Sequence, residues 1–187
     1  MDKKKLIGTI VGVIAFIALI AGATFAWFTY NITLNKAGYN FTSANFSIVY
    51  GHGADITGVK MFATEPTTSD IGTGAANGNV DITAKTTGSV TGTFKIYLNI
   101  NSGSNANIIS KGALKYAICE GSTTIAATSH KGTVSGTSPI LLMTYNNLDT
   151  TQKTFHVYLY LDATKVDQTL DGAQFSGYIS ASAEQTH

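Results

Sequence analysis

The sequence predicts an all-β fold: an antiparallel β-sandwich or jelly roll preceded by an N-terminal hydrophobic helix. Three observations carry that expectation. Apolar and polar residues alternate with period two in run after run beyond residue 27, the signature of strands with one face buried. Segments rich in Gly, Asn and Ser separate those runs and supply turns. Residues 6–28 carry no charge and follow Lys3, Lys4 and Lys5.

That first segment is long enough to span a bilayer, which takes roughly 20 apolar residues as a helix. The lysines would stay on the cytoplasmic side and send the rest of the chain outward. Trp27, Phe28 and Tyr30 stand where an interfacial aromatic belt would lie. A signal peptide has the same basic start and ends on small residues before a cleavage site. Thr24-Phe25-Ala26 fits, with cleavage between Ala26 and Trp27; Ala21-Gly22-Ala23 fits too, with cleavage between Ala23 and Thr24. Both readings export the chain, and both remain open on the residues alone.

The expected organisation is a signal peptide or anchor over 1–26, a donor strand or stalk over 27–40, and a β-sandwich over 41–187. Three runs are strong. Over 89–100, Val90, Phe94, Ile96, Leu98 and Ile100 share one face. Over 154–161, Phe155, Val157, Leu159 and Leu161 alternate with Thr154, His156, Tyr158 and Tyr160. Over 174–184, Phe175, Ile179, Ala181 and Ala183 alternate with Tyr178, Ser180, Ser182 and Glu184. Shorter strands are expected at 45–50, 56–62, 79–83, 114–120, 123–127 and 139–144. Loops are expected at 63–79, 101–105, 129–138 and 145–151, with a short helical turn near 162–170.

Composition narrows the function classes. The 187 residues hold 12 lysines, no arginine and 11 acids, for a net charge of +1. No dedicated nucleic-acid surface follows from that balance, since such surfaces need clustered basic residues. A single cysteine, Cys119, rules out an internal disulfide framework and a thiolate zinc cluster.

No catalytic or metal motif is found. His52, His130, His156 and His187 form no H-E-x-x-H pair. His52 reads as a turn residue, His156 as an outward strand residue, and Cys119 as a half-buried thiol. Asp162, Asp167 and Asp171 lack the calcium-loop spacing and read as solvated turn acids. No enzyme activity, metal or cofactor is expected. A type IV pilin is disfavoured because residues 6–28 contain no glutamate.

Residues 22–28 (Gly-Ala-Thr-Phe-Ala-Trp-Phe), 41–48 (Phe-Thr-Ser-Ala-Asn-Phe-Ser-Ile) and 172–185 (Gly-Ala-Gln-Phe-Ser-Gly-Tyr-Ile-Ser-Ala-Ser-Ala-Glu-Gln) resemble the TasA/camelysin-type secreted proteins of Gram-positive-type bacteria. They match, respectively, the end of a SipW-type signal peptide, the first strand and the closing strand. The resemblance covers both ends, about a third of the chain. It implies processing by a signal peptidase after Ala26 and, in several members, an extracellular biofilm-matrix fibre. In fibre-forming relatives the mature N-terminal segment inserts as a strand into the next subunit.

The residues allow this chemistry. Phe28, Tyr30, Ile32 and Leu34 fall on one face of 27–34, as a donor strand filling an open sheet edge requires. A head-to-tail contact of that kind builds a homopolymer. The expected function is therefore an exported, cell-surface, TasA-like fibre subunit using residues 27–37 as donor. The alternative is a monomeric membrane-anchored β-sandwich that binds glycan or a cell-surface partner. Tyr97, Tyr158, Tyr160 and Tyr178 would then supply an exposed aromatic face.

Overall fold

The computed structural model describes residue 13 and residues 32–34, 39–43, 46–52, 56–60, 79–87, 91–170 and 172–185. The chain divides into two compact units, Met1–Asn31 and Ile32–His187. In the first unit Val13 is helical. The rest of 6–28, with Ala23, Thr24, Ala26, Trp27 and Phe28, lies outside the described residues, as does Tyr30. Among the described residues no helix is long and apolar enough to cross a membrane.

Among its described residues the second unit is all-β, with eleven strands in two antiparallel sheets. The first sheet contains β1 (Ile32–Leu34), β4 (Ile56–Lys60), β6 (Gly92–Ile100), β9 (Ile140–Leu148) and β11 (Gln174–Gln185). Its order is β1-β11-β6-β9, with β4 also on β11. The second sheet runs β2 (Tyr39–Ser43), β3 (Phe46–His52), β5 (Asn79–Thr86), β10 (Lys153–Leu161), β7 (Leu114–Glu120) and β8 (His130–Thr133).

The alternation read in the sequence becomes the core. Phe94, Ile96 and Leu98 of β6 and Phe175, Ile179, Ala181 and Ala183 of β11 are buried. They meet Val80, Ile82, Leu114, Ile118, Phe155, Val157 and Leu159 of the other sheet in one cluster. Phe155 is the link between layers. Its ring stacks on Phe94 of the opposite sheet at 5.7 Å and receives Tyr145 of β9 edge-on at 5.1 Å, both favourable aromatic geometries.

Several boundaries differ from expectation. Strand 123–127 does not form. Thr-Thr-Ile-Ala-Ala follows Gly121, whose φ of +65° turns the chain out of β7, and Ser122 and Ser129 hold the segment in turns through the Thr124 and Ala126 amides. Strand β8 lies inside the expected loop 129–138, and β9 runs on to Leu148 through the expected loop 145–151. That extension passes Asn147, at φ +62°, a left-handed position that Asn tolerates. A five-residue helix, α1 (Ala106–Ser110), was not expected; the Asn105 side chain accepts from the Asn107 amide at its start and Ile108 is buried beneath it. Near 162–170 there is a 3-10 turn at Gln168–Leu170. The expected loop 63–79 lies outside the described residues except for Asn79, which opens β5.

The outer edge of β9 is closed by side chains. Its register against β6 shifts twice, as bulges do at protected sheet edges. The Tyr116 hydroxyl and His130 Nε2 each donate to the Leu142 carbonyl at 2.9 Å. Tyr116 lies over Gly132, where an added Cβ would stand 2.7 Å from the ring. Gly132→Ala is therefore expected to cost about 1–3 kcal/mol by overpacking, read as a lower denaturant midpoint. No change would mean that the ring is free to move.

Candidate functional site

Two surfaces gather the residues that the sequence singled out. The first is the β1 side of β11. Backbone pairing sets Ile32 against Ala183, Thr33 against Ser182 and Leu34 against Ala181. Further along the same strand, β4 pairs with Gln174, Phe175 and Gly177. Two short strands thus lie end to end along a twelve-residue neighbour. Of the four donor residues, Ile32 and Leu34 are in this slot, paired with their own chain.

The second surface is the outward face of the β2-to-β8 sheet. Residues paired across a ladder share a face, so the registers give its rows. Tyr160 of β10 is opposite Lys115 of β7, which is opposite Thr133 of β8. The next row holds Asn79, Tyr158, Ala117 and Lys131. The third holds Asp81, His156 and Cys119.

The segment 121–129, which joins β7 to β8, folds back over this face. Ile125 packs on a small cluster of Ala117, Cys119, Tyr158 and Tyr160. Tyr158 donates its hydroxyl to the Thr123 carbonyl at 3.0 Å. The Cys119 Sγ lies 3.2 Å from the Ser129 hydroxyl. Burial, reinforced by Cys119 and Asp81, pushes the Tyr158 phenol up to about 12.

The four tyrosines expected to form one ligand face are divided between two sheets. Tyr97 and Tyr178 lie on the outward face of the other sheet, both half-buried, with the Asn99 amide donating to the Ser180 hydroxyl between them at 2.7 Å. Tyr158 and Tyr160 are buried, because the 121–129 segment covers the strand face that alternation alone leaves open. Beside Tyr160 lies a cleft of about 540 Å³, lined also by Lys115, Lys131, Thr133 and Asp162.

The histidines are likewise placed by the fold. His156 is half-buried rather than solvated, with Nδ1 2.7 Å from Asp81 Oδ1. His52 ends β3 instead of occupying a turn, its backbone opposite Ile82. His187 and Asp171 lie outside the described residues. Cys119 is buried.

The turn acids organise the loop after β10. Asp162 accepts from the Thr164 amide and hydroxyl and pairs with Lys115 at 3.4 Å. Asp167 accepts from Thr169 in the same way and pairs with Lys111 after α1. Among the described residues no group of three His, Cys, Asp or Glu is arranged to hold a metal ion.

The Lys111 ammonium, then the Thr169 hydroxyl, hold the Asp167 carboxyl down to about 2, from an ordinary value of 3.8. A carboxyl depressed on folding stabilises the fold fully above its unfolded value and loses that contribution as pH falls through the folded one. Asp167→Asn is therefore expected to flatten the fall in melting temperature between about pH 4 and pH 2. An acid limb unchanged by the substitution would show that the pair contributes nothing, the common fate of exposed ion pairs.

Comparison with protein-family models and with curated protein sequences gives no match to the chain.

Proposed function

We propose that this chain is an exported cell-surface structural protein, a TasA-like extracellular fibre subunit of jelly-roll type that assembles by β-strand complementation. The observation that carries the reading is the β1 slot. A three-residue strand next to the unit boundary fills part of the edge of a twelve-residue one. Few backbone pairs hold it there, so exchange for the same strand of a second copy replaces like with like. Such exchange is a low-cost route to association, and a head-to-tail form of it does not close. The basic, then uncharged, N-terminal sequence supports export, with signal peptidase as the processing partner or with residues 6–28 as a membrane anchor.

The test is intact mass followed by negative-stain imaging of native material. A chain starting at Trp27 with filaments present is the expected result, together with their loss when residues 27–37 are deleted from a domain that still folds. A full-length mass without filaments would overturn it.

A second reading is a monomeric, membrane-anchored β-sandwich binding glycan or a surface partner. The cleft beside Tyr160 favours it, since Lys115, Asp162 and Thr133 offer donors and acceptors suited to sugar hydroxyls. Saturable glycan binding by the monomer, lost in Lys115→Ala, would mark that reading.

A further inference from the structure

The cleft beside Tyr160 lies on the outward face of the second sheet, at its β8 margin. Tyr160 is opposite Lys115, and Lys115 is opposite Thr133. Lys131 is opposite Ala117, two residues along β7, which makes it the diagonal neighbour of Lys115 on the same face. Diagonal neighbours stand roughly 7–8 Å apart, within reach of two flexible four-carbon stems. Both lysines line the cleft, so their ammoniums can meet at one anion between them. Residues 27–187 hold 9 lysines and 10 acids. The pair is therefore a local concentration of positive charge, not a property of the whole surface.

Among the described residues the cleft has one acid, Asp162, and its carboxylate is fixed in place. Oδ1 accepts from the Thr164 hydroxyl and amide, and Oδ2 faces Lys115 Nζ at 3.4 Å. Those contacts, Thr164 first and then Lys115, hold the Asp162 carboxyl below its ordinary value, so it is ionised at neutral pH. It opposes a compact, doubly charged anion and offers an acceptor to a hydroxyl. An ammonium has three donors, and contact with Asp162 uses only one of those on Lys115. Thr133 adds a hydroxyl, and Tyr160 and Ala163 add apolar surface. A carboxylate, neighbouring hydroxyls and a C–H face are together the parts of a uronic acid ring. The volume of about 540 Å³ falls within the roughly 300–1,000 Å³ of ligand sites. Strand β8 ends the sheet, so among the described residues a longer chain can run on past the cleft.

We propose that this cleft binds an acidic polysaccharide through its uronate units. Lys115 and Lys131 hold the ring carboxylate, Asp162 accepts from a ring hydroxyl, and Thr133 pairs with a second. The inference rests on the glycan reading of the cleft and adds the ligand's charge to it. A neutral sugar leaves the two ammoniums without an anion, and a simple anion leaves Asp162 without a donor.

Tetragalacturonate is the probe, titrated calorimetrically into the folded full chain, beside the same tetramer with its carboxyls reduced to alcohols. The acid form is expected to bind at least tenfold more tightly. Lys115→Gln and Lys131→Gln should each weaken it on the order of tenfold, the effect of losing one charge-assisted hydrogen bond. Asp162→Asn keeps the turn with Thr164, since Asn forms it as Asp does, and removes the opposing charge. It should tighten tetragalacturonate several-fold without tightening the reduced tetramer. Going from about 0.01 M to about 1 M salt shortens the screening length from roughly 30 Å to roughly 3 Å and should weaken the acid form alone. Equal affinity for the acid and reduced tetramers would overturn the inference and leave the neutral-glycan reading standing. Binding of neither would overturn both. A tetraglutamate peptide that binds as tightly as the sugar would overturn the polysaccharide and assign the cleft to an acidic peptide.

Discussion

Phe155→Ala is expected to remove about 3–5 kcal/mol of stability, the range for deleting a fully buried phenylalanine. The residue is wholly buried, and its ring joins three strands. It stacks on Phe94 across the two sheets and takes the edge of Tyr145 from β9. Alanine leaves a cavity where the layers meet, lined by the Phe94 and Tyr145 rings. Domains of this size are stable by roughly 5–15 kcal/mol, so a large part of the total is at stake. Urea titration of the wild type and the variant measures it. Phe155→Leu keeps most of the volume and should recover more than half of the loss. A Phe155→Ala chain within about 1 kcal/mol of wild type, a surface-like effect, would mean that the ring does not join the sheets.

Much of this core was legible before the fold was known. Strand β7 coincides with the expected 114–120, and β10 and β11 begin within a residue of their expected starts. In each, apolar positions repeat every second residue, and burial follows that repeat on the core side. The pattern failed where its assumptions failed. Thr123–Ala127 has the composition of a strand, yet Gly121 and the serine-held turns direct it across a sheet face instead. Strand β9 continues through Asn146 and Asn147, turn-forming residues that here occupy a bulged edge. Helix α1 is too short to show a helical period, and only its Asn105 cap marked it.

The sites were less legible, for a physical reason. Alternation says which way a side chain points but not what lies above it. Tyr158 and Tyr160 do point away from the core, as the pattern implies, and are buried nonetheless by a segment more than thirty residues earlier in the chain. His156 and Asp81 are 75 residues apart, and the sequence held no signal that would align them. Knowing that strands 79–83, 114–120 and 154–161 all exist does not reveal that they are neighbours in the order β5-β10-β7. Strand order is what makes Asp81, His156 and Cys119 a row, and it depends on long-range pairing.

Proline scanning of β1 should separate strand exchange from mere proximity. In an antiparallel ladder the amide and carbonyl of one residue point to the same side, and those of the next residue to the other. Either Thr33, or Ile32 with Leu34, therefore directs its backbone at β11. Proline removes the amide donor and is tolerated in an edge strand only where that amide faces away. If β1 is the donor, one parity of substitution should abolish filaments and the other should leave them intact. Both should leave the compact unit folded, because β1 contributes only three of its paired positions and the core cluster lies on the longer strands. Negative-stain counts and melting curves on Ile32→Pro, Thr33→Pro and Leu34→Pro read the two effects separately. Filaments surviving in all three variants would remove β1 from the assembly mechanism. Loss in all three with intact folding would instead assign β1 a role that does not depend on ladder direction, such as the packing of its side chains. The alternating result alone shows backbone pairing, and so distinguishes a donated strand from an N-terminal segment that merely adheres.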